Sequence, residues 1–183
     1  MYKIQKGNLL IAEPQMTDKA FFKSVVLITY HSVEESIGFV LNQATSIQLN
    51  ELLDDIRIAD FPVYIGGPVE RSSIHYIHTL GKQIKNARHI IDDVYWGGDF
   101  TQIKHLMEAK EINKRDIRFF AGYAGWKANQ LTSELVEKNW IINTADKDSC
   151  MNYNEGNKLW RDFIKADNKY AIWSNMPYNP SLN

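Results

Sequence analysis

The chain has a single cysteine, Cys150, among its 183 residues. One cysteine cannot form an internal disulfide, and it suits a reducing compartment. Only five prolines occur, thinly spread, and no Pro/Gly/Ser-rich linker divides the sequence. No apolar stretch approaches the roughly 20 residues a membrane-spanning helix requires. The N-terminal region offers only Leu9-Leu10-Ile11-Ala12. That run is too short for the apolar core of a signal peptide, and no cleavage site follows it. Neither sign of charge dominates, since 21 Lys and Arg face 22 Asp and Glu for a net charge of −1. A global positive field that would draw nucleic acid or an anionic membrane is therefore lacking. These absences lead to the expectation of a soluble cytoplasmic protein that makes no direct contact with nucleic acid or membrane.

What the sequence does contain is a core. The chain is 44% hydrophobic and 12% aromatic, which fits a folded protein and argues against disorder. The length favours one domain over residues 1–183. A chain of this size can bury roughly 70% of the surface its unfolded form exposes, without disulfide or metal staples.

Short β-branched runs predict strands at 8–12, 24–31, 36–42, 61–67, 72–80, 87–91 and 116–124. Ser32-Val33-Glu34-Glu35 reads as a hairpin loop, and the runs at 61–67 and 72–80 stand close enough in sequence to pair. Helices are expected at 17–24, 46–56, 99–112, 129–140 and 154–166, each from apolar residues at helical spacing or from a capping residue. Strands come first and helices are interspersed without regular βαβ alternation. The expected class is α+β with a mixed, mostly antiparallel sheet.

Sequence motifs for chemistry are sparse. "FAGYAGWKANQLTSEL" (120–135) suggests a glycine-rich turn opening a helix, a place where an anion can bind. The phosphate-loop pattern G-x-x-x-x-G-K-[ST] fails here, because Gly122 and Gly125 are three apart and Ala128 stands where the hydroxyl belongs. The structural alternative is that Gly122 and Gly125 make a sharp turn, Trp126 anchors it, and Leu131 and Leu135 dock the helix. "WGGDF" (96–100) reads as a turn into a helix with Asp99 as its N-cap.

A metal reading needs convergent ligands. His75 and His78 are three apart, so on a strand they face opposite sides; His31, His89 and His105 lie elsewhere. Cys150 has no base beside it in sequence. The aromatic C-terminal stretch, with Trp160, Tyr170, Trp173 and Tyr178, is too apolar for a free tail and is expected to pack on the core or a partner.

The ordered set "GNLLIAEPQMTDKAFFKSVVLITYH", "SIGFVLN", "VYIGGPVERSSIHYIHT" and "FAGYAGWKANQLTSELVEKNW" resembles the YqgE/AlgH family of largely uncharacterised bacterial proteins. The closing "MPYNPSLN" is similar to endings in some members. The resemblance implies a bent, branching sheet closed into a pseudo-barrel with flanking helices, in a bacterial cytoplasmic protein. Some members carry a transcriptional-regulator label from an association with alginate production. No catalytic residue and no cofactor is implied. The chain departs from the family pattern at Lys127-Ala128-Asn129, where Gly-Pro-Gly is common, and at Gln43-Ala44, where a basic residue and proline follow the asparagine.

The leading expectation is a non-enzymatic binding or regulatory protein acting on a small molecule or a protein partner. Its candidate site gathers Asn42, Gly66, Gly67, Tyr123, Trp126 and Gln130, with Asn42 and Gln130 to hydrogen-bond and Tyr123 and Trp126 to stack. Each has a structural alternative: Asn42 closes a strand, Trp126 fills core and Gln130 caps a helix. Two competitors remain, a DNA-binding transcriptional regulator and a hydrolase using Cys150 or a His-bound metal.

Overall fold

In the computed structural model, residues 4–58, 60–152 and 157–175 are described. The expected packing of Tyr178, the closing "MPYNPSLN" and the start of the 154–166 helix lie outside them. Among the described residues ten strands form one curled sheet. They are β1 (Asn8–Ala12), β2 (Val25–His31), β3 (Glu35–Val40), β4 (Ala44–Gln48), β5 (Pro62–Ile65), β6 (Val69–His78), β7 (Arg88–Ile91), β8 (Val94–Trp96), β9 (Ile117–Lys127) and β10 (Trp140–Thr144). Among the described residues five α-helices accompany them: α1 (Leu49–Leu52), α2 (Phe100–Glu108), α3 (Gln130–Val136), α4 (Lys147–Met151) and α5 (Lys158–Ala166). The main path runs β10-β1-β2-β3-β9-β6-β8-β7, and β4 and β5 branch from it beside β9. Every pairing is antiparallel except β5 with β9. The α+β class and the mixed, mostly antiparallel sheet bent into a pseudo-barrel are as the sequence and the resemblance imply.

β9 organises the branch. Its C-terminal part pairs with β3 from Ala124 to Lys127. Its N-terminal part lies between β5 and β6. The runs at 61–67 and 72–80 therefore do not pair with each other, because β9 takes the place between them. Nor do Gly122 and Gly125 make the turn expected of them. The strand continues through both, and the turn comes at Ala128 and Asn129.

Gly122 has a different task. Its φ is +69°, and across it the strand changes which side its residues face. Before it, Arg118 and Phe120 face the interior, where Phe120 packs with Leu9, Leu27 and Phe39. Ile117, Phe119 and Ala121 face outward, under α2. After it, Tyr123 turns inward and Ala124 and Trp126 turn outward, under α3. A strict period of two would have sent Trp126 inside with Phe120, and the left-handed glycine resets the alternation. Here the loop after β5 crosses β9 at backbone distance. A Cβ on Gly66 would lie 2.2 Å from the Gly122 carbonyl oxygen, and one on Gly67 2.2 Å from the Tyr123 carbonyl.

The interior holds one charged side chain at its centre. Arg118 is fully buried; Nη2 donates to the Leu41 carbonyl at 2.6 Å and Nη1 to the Cys150 carbonyl at 2.7 Å. Its guanidinium lies 4.2 Å from the centre of the Tyr64 ring. The residue thus ties β9 to the end of β3, to β5 and to α4. The β7–β8 hairpin, at one end of the strand order, is tied to the segment before β1 and to α4. Lys6 Nζ donates to the His89 carbonyl at 2.9 Å, Gly7 lies against Ile91, and the Lys147 amide donates to Asp92.

Several helical expectations fail for local reasons. Residues 17–24 form successive turns, because the Asp18 side chain caps the Ala20 amide and Lys23 is left-handed at φ +53°. Of 46–56, only Leu49–Leu52 is helical; Ala44–Gln48, with β-branched Thr45 and Ile47, is drawn into pairing with β5. The 129–140 helix stops at Val136 and Lys138 turns left-handed, so that Trp140 opens β10 against β1. Val94–Trp96 is a strand that its short length hid. Asp99 caps α2 as expected, accepting from the Thr101 and Gln102 amides.

Arg118→Met orphans two buried carbonyls, each worth about 1–3 kcal/mol. Urea unfolding should show a loss of roughly 2–5 kcal/mol. Arg118→Lys should recover only part of it, since a single ammonium cannot reproduce the two-pronged fork.

Candidate ligand-binding cleft

β8 pairs with β6 only at Ile77 and His78. The chain then leaves the sheet at Gly97 (φ +65°) and Gly98 (φ +109°), and the Asp99 amide bonds to the Lys85 carbonyl. A Cβ on Gly98 would meet Ile84 Cγ2 at 2.6 Å, so the corner must be bare there. β6 holds the corner with three bonds: the Tyr76 carbonyl accepts from the Gly97 amide, Tyr76 Oη donates to the Gly98 carbonyl at 2.8 Å, and His78 Nε2 reaches the Gly97 carbonyl at 2.9 Å. The divergence opens a cleft of about 480 Å³ lined by Leu53, Ser72, Ile74, His75, Tyr76, Trp96, Phe100 and the two glycines. That volume is in the range of small-molecule sites.

The lining carries four aromatic rings and no carboxylate, lysine or arginine. Its two titratable side chains are kept neutral by burial. The same desolvation pushes Tyr76 up to about 12, helped by the Asp99 charge, and draws His75 below the usual histidine value. The His75 ring stands 5.4 Å from Phe39 and 5.7 Å, edge-on, from Tyr123. Its Nε2 is 3.0 Å from Ser73 Oγ, whose own proton goes to the Glu70 carbonyl at 2.7 Å. The serine hydroxyl has one proton to give, so Nε2 is the donor and the Nδ1 lone pair is left to accept.

Of the residues singled out from the sequence, Tyr123 stands beside this cleft through His75, and Gly66 and Gly67 pack under the same stretch of β9. The others lie elsewhere. Asn42 is buried, its Oδ1 accepting from the Val25 amide and its Nδ2 donating to the Lys23 carbonyl, both at 2.8 Å. Trp126 stacks on Phe21 in the outer core under α3 and donates to Glu134 Oε2 at 2.9 Å. Trp140 donates to the same oxygen at 2.8 Å, and Gln130 to Glu134 Oε1 at 3.0 Å. Glu134 thus gathers three donors that the sequence did not connect. Gln130 Oε1 also accepts from the Lys127 amide, closing the turn into α3. At Asn129, where glycine is common in the family, the backbone is left-handed at φ +63°. Asparagine is among the few non-glycine residues suited to that conformation.

The chemistry proposed for a hydrolase finds little footing. Cys150 is buried on α4, and burial pushes its thiol up to about 12 despite the opposing charge of Arg118. The histidines do not converge. His75 faces the interior side and His78 the exterior, His31 bonds Ser36, His89 bonds Asp92 and His105 lies near Glu108. Among the described residues no three His, Cys, Asp or Glu side chains are grouped to hold a metal ion. None of the described helices is long and apolar enough to cross a membrane.

The curled mixed sheet, with α2 and α3 on its outer face, α4 and α5 on its interior side and an aromatic cleft where β8 leaves β6, defines an α+β domain of a recognisable kind. The chain belongs to the AlgH-like family, whose profile matches residues 9–169. It is 34% identical to a UPF0301 protein of Cytophaga hutchinsonii, over 98% of this chain and all of that one. It is 36% identical to one of Bacteroides fragilis, over 97% of this chain and 91% of that one. The fold is similar to that of a protein from Corynebacterium diphtheriae, with TM-score 0.77 at 21% identity, covering 96% of this chain and 94% of that one. It is also similar to the AlgH protein from Pseudomonas aeruginosa, with TM-score 0.72 at 21% identity, covering 98% and 100%.

Two outcomes follow from these environments. Cys150 should stay unreactive to a disulfide reagent in the native protein and react at the rate of a free thiol only in denaturant, as absorbance titration would show. His75 and His78 both sit below their unfolded value, so the unfolded chain binds more protons as pH falls below about 6.5. Their contribution is fully present above that pH and is lost as pH drops through the lowered folded values. The melting temperature should therefore fall between pH 7 and pH 5, and less steeply in a His78→Gln variant.

Proposed function

We propose that this protein is a non-enzymatic binding protein whose ligand occupies the cleft between β6 and the Gly97–Gly98 corner. The observation that carries the reading is the cleft itself, a concave, aromatic and uncharged surface where β8 diverges from β6. The buried, poorly acidic Cys150 supports binding over nucleophilic catalysis. A balanced charge supports regulation through a protein partner over direct contact with DNA. One buried cysteine suits the reducing cytoplasm.

The test is a thermal-shift screen against metabolites spanning neutral, anionic and cationic classes. A ligand at about 100 times its Kd stabilises by about 2.7 kcal/mol, which in a chain of this size raises Tm by roughly 5–10 °C. That shift should vanish in Trp96→Ala and persist in Gln130→Ala, whose side chain serves the α3 turn. If no compound stabilises the protein, or if Trp96→Ala leaves the shift intact, the reading fails.

A further inference from the structure

The cleft has a chemical polarity that narrows its ligand. Rings form its walls: Trp96, Tyr76, Phe100 and His75. Aromatic walls favour a flat ligand, because offset stacking and edge contacts add to the apolar area buried. The lining lacks the fixed charge that a phosphate or carboxylate needs as a partner, and moving an unpaired ion out of water is costly.

Two of the polar groups at the cleft are committed, while the exposed Ser72 hydroxyl is open to solvent. The Tyr76 hydroxyl proton is spent on the Gly98 carbonyl, and the Gly97 carbonyl already accepts from His78. His75 is different. Ser73 and Glu70 fix its ring through Nε2, which leaves Nδ1 as an acceptor. Gly97 adds room, since a Cβ built there would meet nothing within 4 Å.

Resting on the reading of the cleft as a ligand site, we infer that it selects an uncharged planar heterocycle carrying an N–H, which donates to Nδ1 of His75 while its ring lies against Trp96. His75 is then the specificity-determining residue, and Ser73 a positioning residue that sets its tautomer. A free phosphate ester, a nucleotide or a carboxylate of the same ring system is rejected by desolvation of its charge.

Calorimetric titration with indole, 1-methylindole and indole-3-carboxylate tests this. The three share one ring and differ in the N–H and the charge. Indole should bind saturably. 1-Methylindole should bind about tenfold more weakly, the worth of one hydrogen bond with its acceptor left unpaired, and indole-3-carboxylate at least tenfold more weakly. His75→Phe keeps the ring and loses the acceptor, so indole and 1-methylindole should become equal in that variant. Ser73→Ala should narrow the gap between the two by a few fold, without abolishing binding. Equal affinity for indole and 1-methylindole in the native protein overturns the inference. So does preference for the carboxylate, or failure of indole to bind when another class stabilises the protein in the thermal-shift screen. In those cases the cleft survives as a site with a different ligand. If nothing binds in either experiment, the site itself is refuted and the inference with it.

Discussion

The guanidinium of Arg118 is the constraint from which the rest of the architecture follows. It lies at the middle of the curl, and both terminal nitrogens donate to main-chain carbonyls, one at the end of β3 and one in α4. A buried charge is tolerable only when its protons are matched by acceptors. The carbonyls that match it belong to segments 77 and 32 residues away in sequence. β9 therefore cannot be placed in the sheet without also placing β3 and α4. Tyr64 stacked on the same group brings in β5, the strand that makes the sheet branch.

The branch creates a packing problem that glycine solves. β9 must present Phe120 to the interior and Trp126 to the exterior, although both are even-numbered positions of one strand. The left-handed Gly122 reverses the alternation between them. The same place admits Gly66 and Gly67 at a backbone separation that no side chain would permit. The glycines of "GYAGWK" and "YIGG" are thus two halves of one crossing. Their part in any site is to bring Tyr123 beside His75.

Much of the fold was legible because it follows rules of short range. Short β-branched runs marked most of the strands, Asp99 marked the start of α2, and Leu131 and Leu135 marked the buried side of α3. What escaped was set by distant partners. Residues 46–48 open the helix expected at 46–56, and only β5 lying alongside draws Ala44–Gln48 into a strand. Val94–Trp96 is too short to show a period. Arg118 reads in sequence as a polar interruption of an apolar run, and nothing near it foretells carbonyls on β3 and α4. The six residues first grouped as a site are divided in the same way. Tyr123, Gly66 and Gly67 meet near the cleft, whereas Asn42, Trp126 and Gln130 satisfy neighbours of their own. Glu134, which accepts hydrogen bonds from two tryptophans and a glutamine, could have been found only by knowing that Trp126 and Trp140 converge.

The cleft and the glycine-rich corner differ in what their polar groups have left to give. At the corner, Gln130 spends its carbonyl oxygen on the Lys127 amide and its amide on Glu134, so the start of α3 is closed by its own chain. At the cleft, the closing bonds run from β6 to Gly97 and Gly98 and stop there. His75 lies one residue beyond the last of them, with its ring fixed from behind by Ser73 and one nitrogen facing no partner among the described residues. A fixed acceptor in an aromatic, uncharged wall costs little reorganisation when a donor arrives. A surface that has already satisfied itself has no such reserve. The difference between these two places rests on hydrogen-bond accounting more than on residue type. That is why glycines and a tryptophan in the sequence pointed to the corner, while the structure puts the unspent chemistry on the far side of β9.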